Sequence, residues 1–238
     1  MKSVIFSNKG KREINQDYIL VRNLNPETFL FLVADGMGGY EQGEIAASLV
    51  SESILTYLSS VSKINPSHVQ KAINKANLAL RQFKEKVGVK LGTTVGGVIV
   101  TSKEALCFWV GDIKIFHFKN NILQRESHSH TLMNEVIDKG SIIDIEQISK
   151  YRHVVTRSVQ GEVDRSQIDF FNVVLDEHQD SFVICSDGVS DIFSGIQIQS
   201  IMRRAKSDVE TINIIENYLS IHGQDNFSLI YANFNQQY

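Results

Sequence analysis

At 238 residues, 42% of them hydrophobic, the chain can bury the core of one domain and is too short to require two, so residues 1–238 are expected to form a single unit. A formal charge of -3, with basic residues dispersed along the chain, excludes the basic stripe that nucleic-acid binding requires. The N-terminal stretch MKSVIFSNKGKR has an apolar run of only a few residues, too short for a signal-peptide core or a membrane span, so a cytoplasmic protein without membrane attachment is expected.

Taken in chain order, SVIFS, DYILVR and TFLFLVA read as strands because they are rich in Val, Ile, Leu, Phe and Tyr. Two helices are predicted next. One runs from about Glu41 to Ser59, with Ile45, Leu49, Ile54, Tyr57 and Leu58 roughly on one side. The other opens at Asn65-Pro66, a cap followed by a first-turn proline, and places Val69, Ile73, Ala76, Leu80, Phe83 and Val87 at helical spacing. TTVGGVIV, ALCFWV and KIFHF follow as strands, with Asn120-Asn121 as the hairpin tip before NILQR, and then QIDFFNVV and SFVIC. Helices are predicted at 196–205 and 209–219, with Asp208 as a cap and Gly223 as a stop, before the final strand FSLIYANF. Cys107 and Cys185 each sit inside an apolar run, which suits buried, reduced thiols.

Strand groups separated by paired helices, without regular alternation, fit an α+β fold better than a doubly wound parallel sheet. Two sheets packed face to face, each covered outside by helices, would bury all of these apolar faces.

Four aspartates stand at the ends of apolar runs: Asp35 after FLFLVA, Asp112 after CFWVG, Asp187 after FVICS, and Asp225 just before NFSLIYANF. Singly, each has a turn reading, and Asp35-Gly36 and Asp187-Gly188 are strong turn dipeptides. As a set converging in one cleft they would repel one another and need cations to stay ionised together. An all-aspartate set suits Mg²⁺ or Mn²⁺ and, without His or Cys at ligand spacing, argues against zinc. Two such ions about 3.5 to 4 Å apart can activate a shared water and clamp an in-line displacement, which makes phosphoryl transfer the reaction class. The string DGMGG at 35–39 lets backbone approach a ligand closely, and it lacks the Lys-Ser/Thr ending of a nucleotide-binding P-loop.

Seven motifs in order, REINQD (12–17), VADGMGG (33–39), GTT (92–94), VGD (110–112), VVTRSVQG (154–161), CSDGVSD (185–191) and QDNFSL (224–229), resemble the PP2C family of metal-dependent protein phosphatases in its compact bacterial form. The resemblance covers nearly the whole chain. It implies a four-layer α-β-β-α sandwich, two central antiparallel sheets flanked by helix pairs, and hydrolysis of phosphoserine and phosphothreonine in proteins, opposing a bacterial kinase. It implies Asp35 as the carboxylate bridging two Mn²⁺ or Mg²⁺ ions, the Gly36 carbonyl as a ligand of one, and Asp187 and Asp225 as ligands of the other. Asp17 is implied to orient metal-bound water, Asp112 to hold a third, weaker ion with Asp187, and Arg12 to grip the substrate phosphate through its planar fork. Phosphorylated proteins, including a cognate kinase and its substrates, are the implied partners of a monomeric enzyme.

The chain departs from the family in three places. Met37 stands where animal members have a histidine assigned as general acid, so the leaving oxygen needs another proton donor: a water on a metal, or one of His128, His130 and His153. Gly111-Asp112-Ile113-Lys114 replaces Gly-Asp-Ser-Arg, and Ser129-His130-Thr131 replaces Asp-His-Ser. From there to Arg152 the segment corresponds to the family's flap, where substrate selection is expected to differ most. The alternative reading is a phosphatase-like binding module with little turnover, against which the retained Asp35, Asp187, Asp225 and Arg12 speak.

Overall fold

The computed structural model describes residues 2–37, 42–140, 148–176 and 179–234. Among the described residues, ten strands form two antiparallel sheets. The first has the order β1 (Lys2–Asn8), β10 (Phe227–Asn233), β9 (Asp180–Cys185), β6 (Lys114–Lys119), β7 (Ile122–Glu126). The second has the order β2 (Asp17–Asn25), β3 (Thr28–Gly36), β4 (Thr93–Val100), β5 (Glu104–Val110), β8 (Asp169–Val174).

Side-chain alternation divides the apolar residues into three layers. Phe31, Val33, Cys107, Ile115, Phe182, Ile184 and Ile230 fill the space between the sheets. Leu30, Leu32, Val95 and Phe108 face outward under α1 (Gly43–Ser59) and α2 (Pro66–Val87), which contribute Ala46, Val50, Ile54, Val69, Ile73 and Leu80. Phe116, Val183, Cys185 and Leu229 face the other way, under α5 (Gly195–Met202) and α6 (Asp208–His222). This is the expected α-β-β-α sandwich. Its two cysteines are free and buried in different layers.

The helix caps refine the expectations. Asn65 caps α2 by accepting the His68 N–H, as predicted, and Gly88 ends the helix at φ 74°. Val87, expected on the buried face, is exposed. The predicted start of α1 at Glu41 lies outside the described residues. Ser207, not Asp208, caps α6, because its side chain accepts the Glu210 N–H while Asp208 already stands in the helix; Gly223 ends it as predicted. A Ser194–Gln197 capping box starts α5 earlier than expected, and the helix ends at Met202. The Asn120-Asn121 tip holds φ of 51° and 57°, a left-handed pair that asparagine tolerates in a two-residue hairpin.

Among the described residues, the short helices α3 (Leu132–Asp138), in the expected flap, and α4 (Asp187–Ser190), and a 3-10 turn at Val163–Arg165, were not foreseen. Residues 141–147 of that flap lie outside the described residues. Asp35 and Gly36 are not a turn either, since they pair with Thr94 and Thr93 and continue β3 to its end. Among the described residues no helix is long and apolar enough to cross a membrane.

Candidate metal centre

The chain crosses from one sheet to the other through residues 9–16, between β1 and β2, and through residues 111–113, between β5 and β6. These crossings, the end of β3, the start of α4 and the start of β10 line a single cleft of about 570 Å³. Arg12, Asp35, Gly36, Asp112, Asp187 and Asp225 all face it, alongside Met37, Thr94 and His153.

Asp17 sits directly opposite Asp35 in the β2–β3 register, in the alternation phase of the inter-sheet core residues. It is 8% exposed and lies behind the cleft wall. Ser186 Oγ donates to Asp17 Oδ2 at 2.8 Å, while Asp17 Oδ1, also buried, has no protein partner. The charges of Asp17 and Asp187 both bear on Asp35 and favour its protonated form. Thr93 Oγ1 donates to the Asp35 carbonyl at 2.7 Å, and Gly36 N–H donates to the Gln16 carbonyl at 3.1 Å. A side chain on Gly36 would collide with the Gly43 backbone at the start of α1, which explains glycine there.

Asp112 is placed by a tight crossing. Gly111 adopts φ +103°, and a Cβ there would run into the Thr94 side chain. His130, 5% exposed, closes the turn from behind: the Gly111 N–H donates to His130 Nδ1 at 3.0 Å and the His130 N–H to the Gly111 carbonyl at 2.9 Å. The Ile113 and Lys114 that replace the family's Ser and Arg face other tasks. Ile113 packs over Gly96, and Lys114 Nζ donates to the Ser127 carbonyl at 2.8 Å.

Electrostatically the cluster is under-neutralised. Burial first, and then repulsion from the other carboxylates, pushes Asp35 well above the usual carboxylate range. Burial likewise raises Asp17 and Asp112 to about 7 and Asp187 to about 6, with Asp187 adding repulsion at the first two and Asp191 at the third. Among the described residues Arg12 is the cation paired inside the group: its Nε and Nη2 donate to Asp225 Oδ1 and Oδ2 at 2.9 and 2.7 Å. An orphaned buried carboxylate oxygen and four crowded acids fit hard divalent cations, so the residues present suit the metal that the motifs imply.

Of the three histidines weighed as proton donors, His153 faces the cleft. Its Nδ1 lies 3.5 Å from Asp191 Oδ2, and Arg152 Nε donates to its Nε2 at 2.7 Å. Ligand atoms of His153, Asp187 and Asp191 lie within 4.8 Å of one another. His130 is occupied by Gly111 and by Asp169, 3.2 Å away, and His128 pairs with Asp138 on the surface at 2.9 Å. Sequence reasoning passed over Asp191, Ser186 and Asn226. Asp191 stood inside the quoted CSDGVSD and Asn226 inside QDNFSL, but neither follows an apolar run directly.

The family model for protein phosphatase 2C matches residues 7–213. The chain belongs to the protein phosphatase 2C family. Among curated relatives, protein phosphatase PhpP of Streptococcus pneumoniae is 25% identical, with 95% of this chain and 94% of that protein covered. The serine/threonine phosphatase stp of Listeria monocytogenes is 23% identical, over 84% of this chain and 82% of its own length. Serine/threonine phosphatase Stp1 from Staphylococcus aureus superposes with a TM-score of 0.87 at 21% identity, covering 98% of this chain and 94% of that one. The catalytic domain of PstP in complex with two manganese ions superposes with a TM-score of 0.81 at 21% identity, covering 98% and 97%. As a member of this family the chain is a metal-dependent protein serine/threonine phosphatase, and its substrates are phosphoproteins.

Proposed function

We propose that Asp35, Gly36, Asp187 and Asp225 hold two Mn²⁺ or Mg²⁺ ions in this cleft, with Asp35 bridging, the Gly36 carbonyl on one ion, and Asp187 and Asp225 on the other. The observation that carries this reading is the convergence of Asp35, Asp112, Asp187 and Asp225 on one cleft with Arg12 at its rim. When bound, the ions supply an activated water and offset the negative charge of the phosphate. Asp17, held by Ser186 behind Asp35, orients groups in the cleft through its free Oδ1. Asp112 and Asp187 hold a third, weaker ion. Arg12, exposed at the rim with a planar two-donor face, takes the phosphate oxygens.

The substrate is phosphoserine or phosphothreonine in proteins, including a cognate kinase and the proteins it phosphorylates. Residues 1–238 act as one catalytic domain, monomeric and cytoplasmic. Hydrolysis of a phosphothreonine peptide should require added Mn²⁺ or Mg²⁺ and stop in EDTA. Full turnover after complete removal of metal would defeat the two-metal assignment, and no turnover with either ion would favour a binding module.

A further inference from the structure

We infer that Asn226 is a positioning residue: its carboxamide clamps the loop that carries Arg12 against the strand start that carries Asp225, and so sets the phosphate grip over the metal ligands. The inference rests on the roles proposed above for Arg12 and Asp225.

Asn226 is 6% exposed, and its side-chain hydrogen bonds go to the crossing loop between β1 and β2. Its Oδ1 accepts the Gln16 N–H at 2.9 Å, and its Nδ2 donates to the Lys9 and Ile14 carbonyls at 2.9 Å each. One planar group thereby holds the beginning and the end of an eight-residue loop that has no regular secondary structure of its own. A primary amide is the neutral side-chain group of this size that offers an acceptor and two donors in one plane, so no other residue of similar volume makes all three bonds.

The clamp is continuous with both functional groups. The Asn226 N–H donates to Asp225 Oδ1 at 2.8 Å, the same oxygen that Arg12 Nε approaches at 2.9 Å. The Lys9 carbonyl taken by Asn226 Nδ2 also accepts the Arg12 N–H at 3.1 Å, which closes the turn on which Arg12 stands. Gly10, at φ +56°, lies against the Asp225 carbonyl, and Gly188 of α4 lies against the Asn226 carbonyl; a Cβ at either would collide. Residues 225–226 are therefore the junction of the Arg12 loop, the Asp187 helix and β10. Arg12 is itself mostly solvent-exposed, so its own packing does little to fix it. Its placement comes from the loop, and the loop's placement from Asn226.

The test compares Asn226→Ala, Asn226→Asp, Arg12→Ala and the Arg12→Ala/Asn226→Ala double variant. Readouts are kcat and KM on a phosphothreonine peptide at saturating Mn²⁺, Mn²⁺ affinity by calorimetry, and hydrogen exchange of residues 9–16. Asn226→Asp keeps the acceptor for Gln16 but turns an oxygen toward the Lys9 and Ile14 carbonyls, so it should release the loop with little change in volume. Both Asn226 variants should speed exchange in 9–16 by about tenfold or more and raise KM toward the Arg12→Ala value. Mn²⁺ affinity should not fall by more than about threefold in any of these variants, and kcat/KM of the double variant should be no worse than that of Arg12→Ala alone. Multiplying effects in the double variant, or unchanged exchange in 9–16, would overturn the clamp while leaving Arg12 as the phosphate grip. An Arg12→Ala enzyme with wild-type kcat/KM would instead remove the phosphate-grip reading and the clamp's function with it.

Discussion

Arg12 and Asp225, 213 residues apart, form a two-pronged ion pair in which both carboxylate oxygens are taken by one guanidinium at 2.9 and 2.7 Å. The residue assigned to the phosphate and the residue assigned to a cation thus share one set of oxygens. An ion held by Asp225, as proposed above, would compete with Arg12 for that carboxylate and would leave the guanidinium facing the cleft. Both side chains are largely exposed, so solvent screens the pair and the exchange is cheap.

Arg12→Ala should therefore have two opposite effects. On a phosphopeptide, kcat/KM should fall about 10- to 100-fold, as expected from losing a charged hydrogen-bond partner of about 1.5–3 kcal/mol. Mn²⁺ affinity should rise, because the competitor for Asp225 is gone. Calorimetry with Mn²⁺ and steady-state kinetics on the same preparation separate the two, and weakened metal binding in this variant would contradict the competition.

Acid should stabilise the metal-free protein over a range where most proteins gain nothing from it. Asp17 and Asp112 titrate at about 7 and Asp187 at about 6, with Asp35 well above the ordinary range. Folded-state values above an unfolded value of about 3.9 mean that the folded state binds more protons between them. The stability these groups contribute is greatest below about pH 4 and is lost as pH rises through about 6 to 7. His130, lowered by its burial, works the other way as pH falls through its unfolded value of about 6.5, but it is one group against four. In EDTA, Tm should rise from pH 8 to pH 5.5; a steady fall over that range would show that the carboxylates are not crowded in the metal-free protein.

Asp35→Asn should separate stability from function. The amide removes one ionisable group from the crowded cluster, so the metal-free Tm should rise by a few degrees and its pH dependence should flatten. Turnover should be lost, since a neutral amide is a poor ligand for a divalent cation and cannot bridge two. Asp187→Asn and Asp225→Asn should lose turnover likewise. Thermal melts in EDTA across pH, beside phosphopeptide assays in Mn²⁺, check both halves. Wild-type turnover in any of the three at saturating Mn²⁺ would remove that residue from the ligand set.

Much of this architecture could be read from the chain because strands buried on both faces leave continuous apolar runs, and TTVGGVIV of β4 is buried at every position. The helices were legible from their spacing, but their ends were not. Asp208 and Ser207 are both plausible caps, and only the Glu210 N–H bonded to Ser207 decides between them. The short α3 buries none of its residues, so it leaves no apolar stripe, and α4 begins with the dipeptide that elsewhere signals a turn. Asp35, Asp112, Asp187 and Asp225 could be found because each adjoins an apolar run. Ser186 and Asn226 could not, since their partners lie 169 and 210 residues away and no local pattern records such a contact.

The proton that Met37 cannot supply leaves two candidates, and substrates with different leaving groups can tell them apart. A serine or threonine alkoxide must be protonated as it departs, whereas the phenolate of p-nitrophenyl phosphate leaves unaided. His153 reaches the cleft with Arg152 bonded to its Nε2, which keeps the proton on Nδ1, the nitrogen 3.5 Å from Asp191 Oδ2. Asp112 reaches the cleft from the opposite crossing, on the Gly111 turn that His130 holds. If the third ion's site on Asp112 provides the proton, Asp112→Ala should lower turnover of a phosphothreonine peptide about 100-fold or more while sparing p-nitrophenyl phosphate, and His153→Ala should lower neither by more than a fewfold. This is the outcome expected, because Asp112 belongs to the oxygen cluster itself while His153 stands on the side next to Asp191 and is half exposed. The reverse pattern would transfer the role to His153, and equal losses on both substrates in Asp112→Ala would assign Asp112 to holding the cleft rather than to the leaving group.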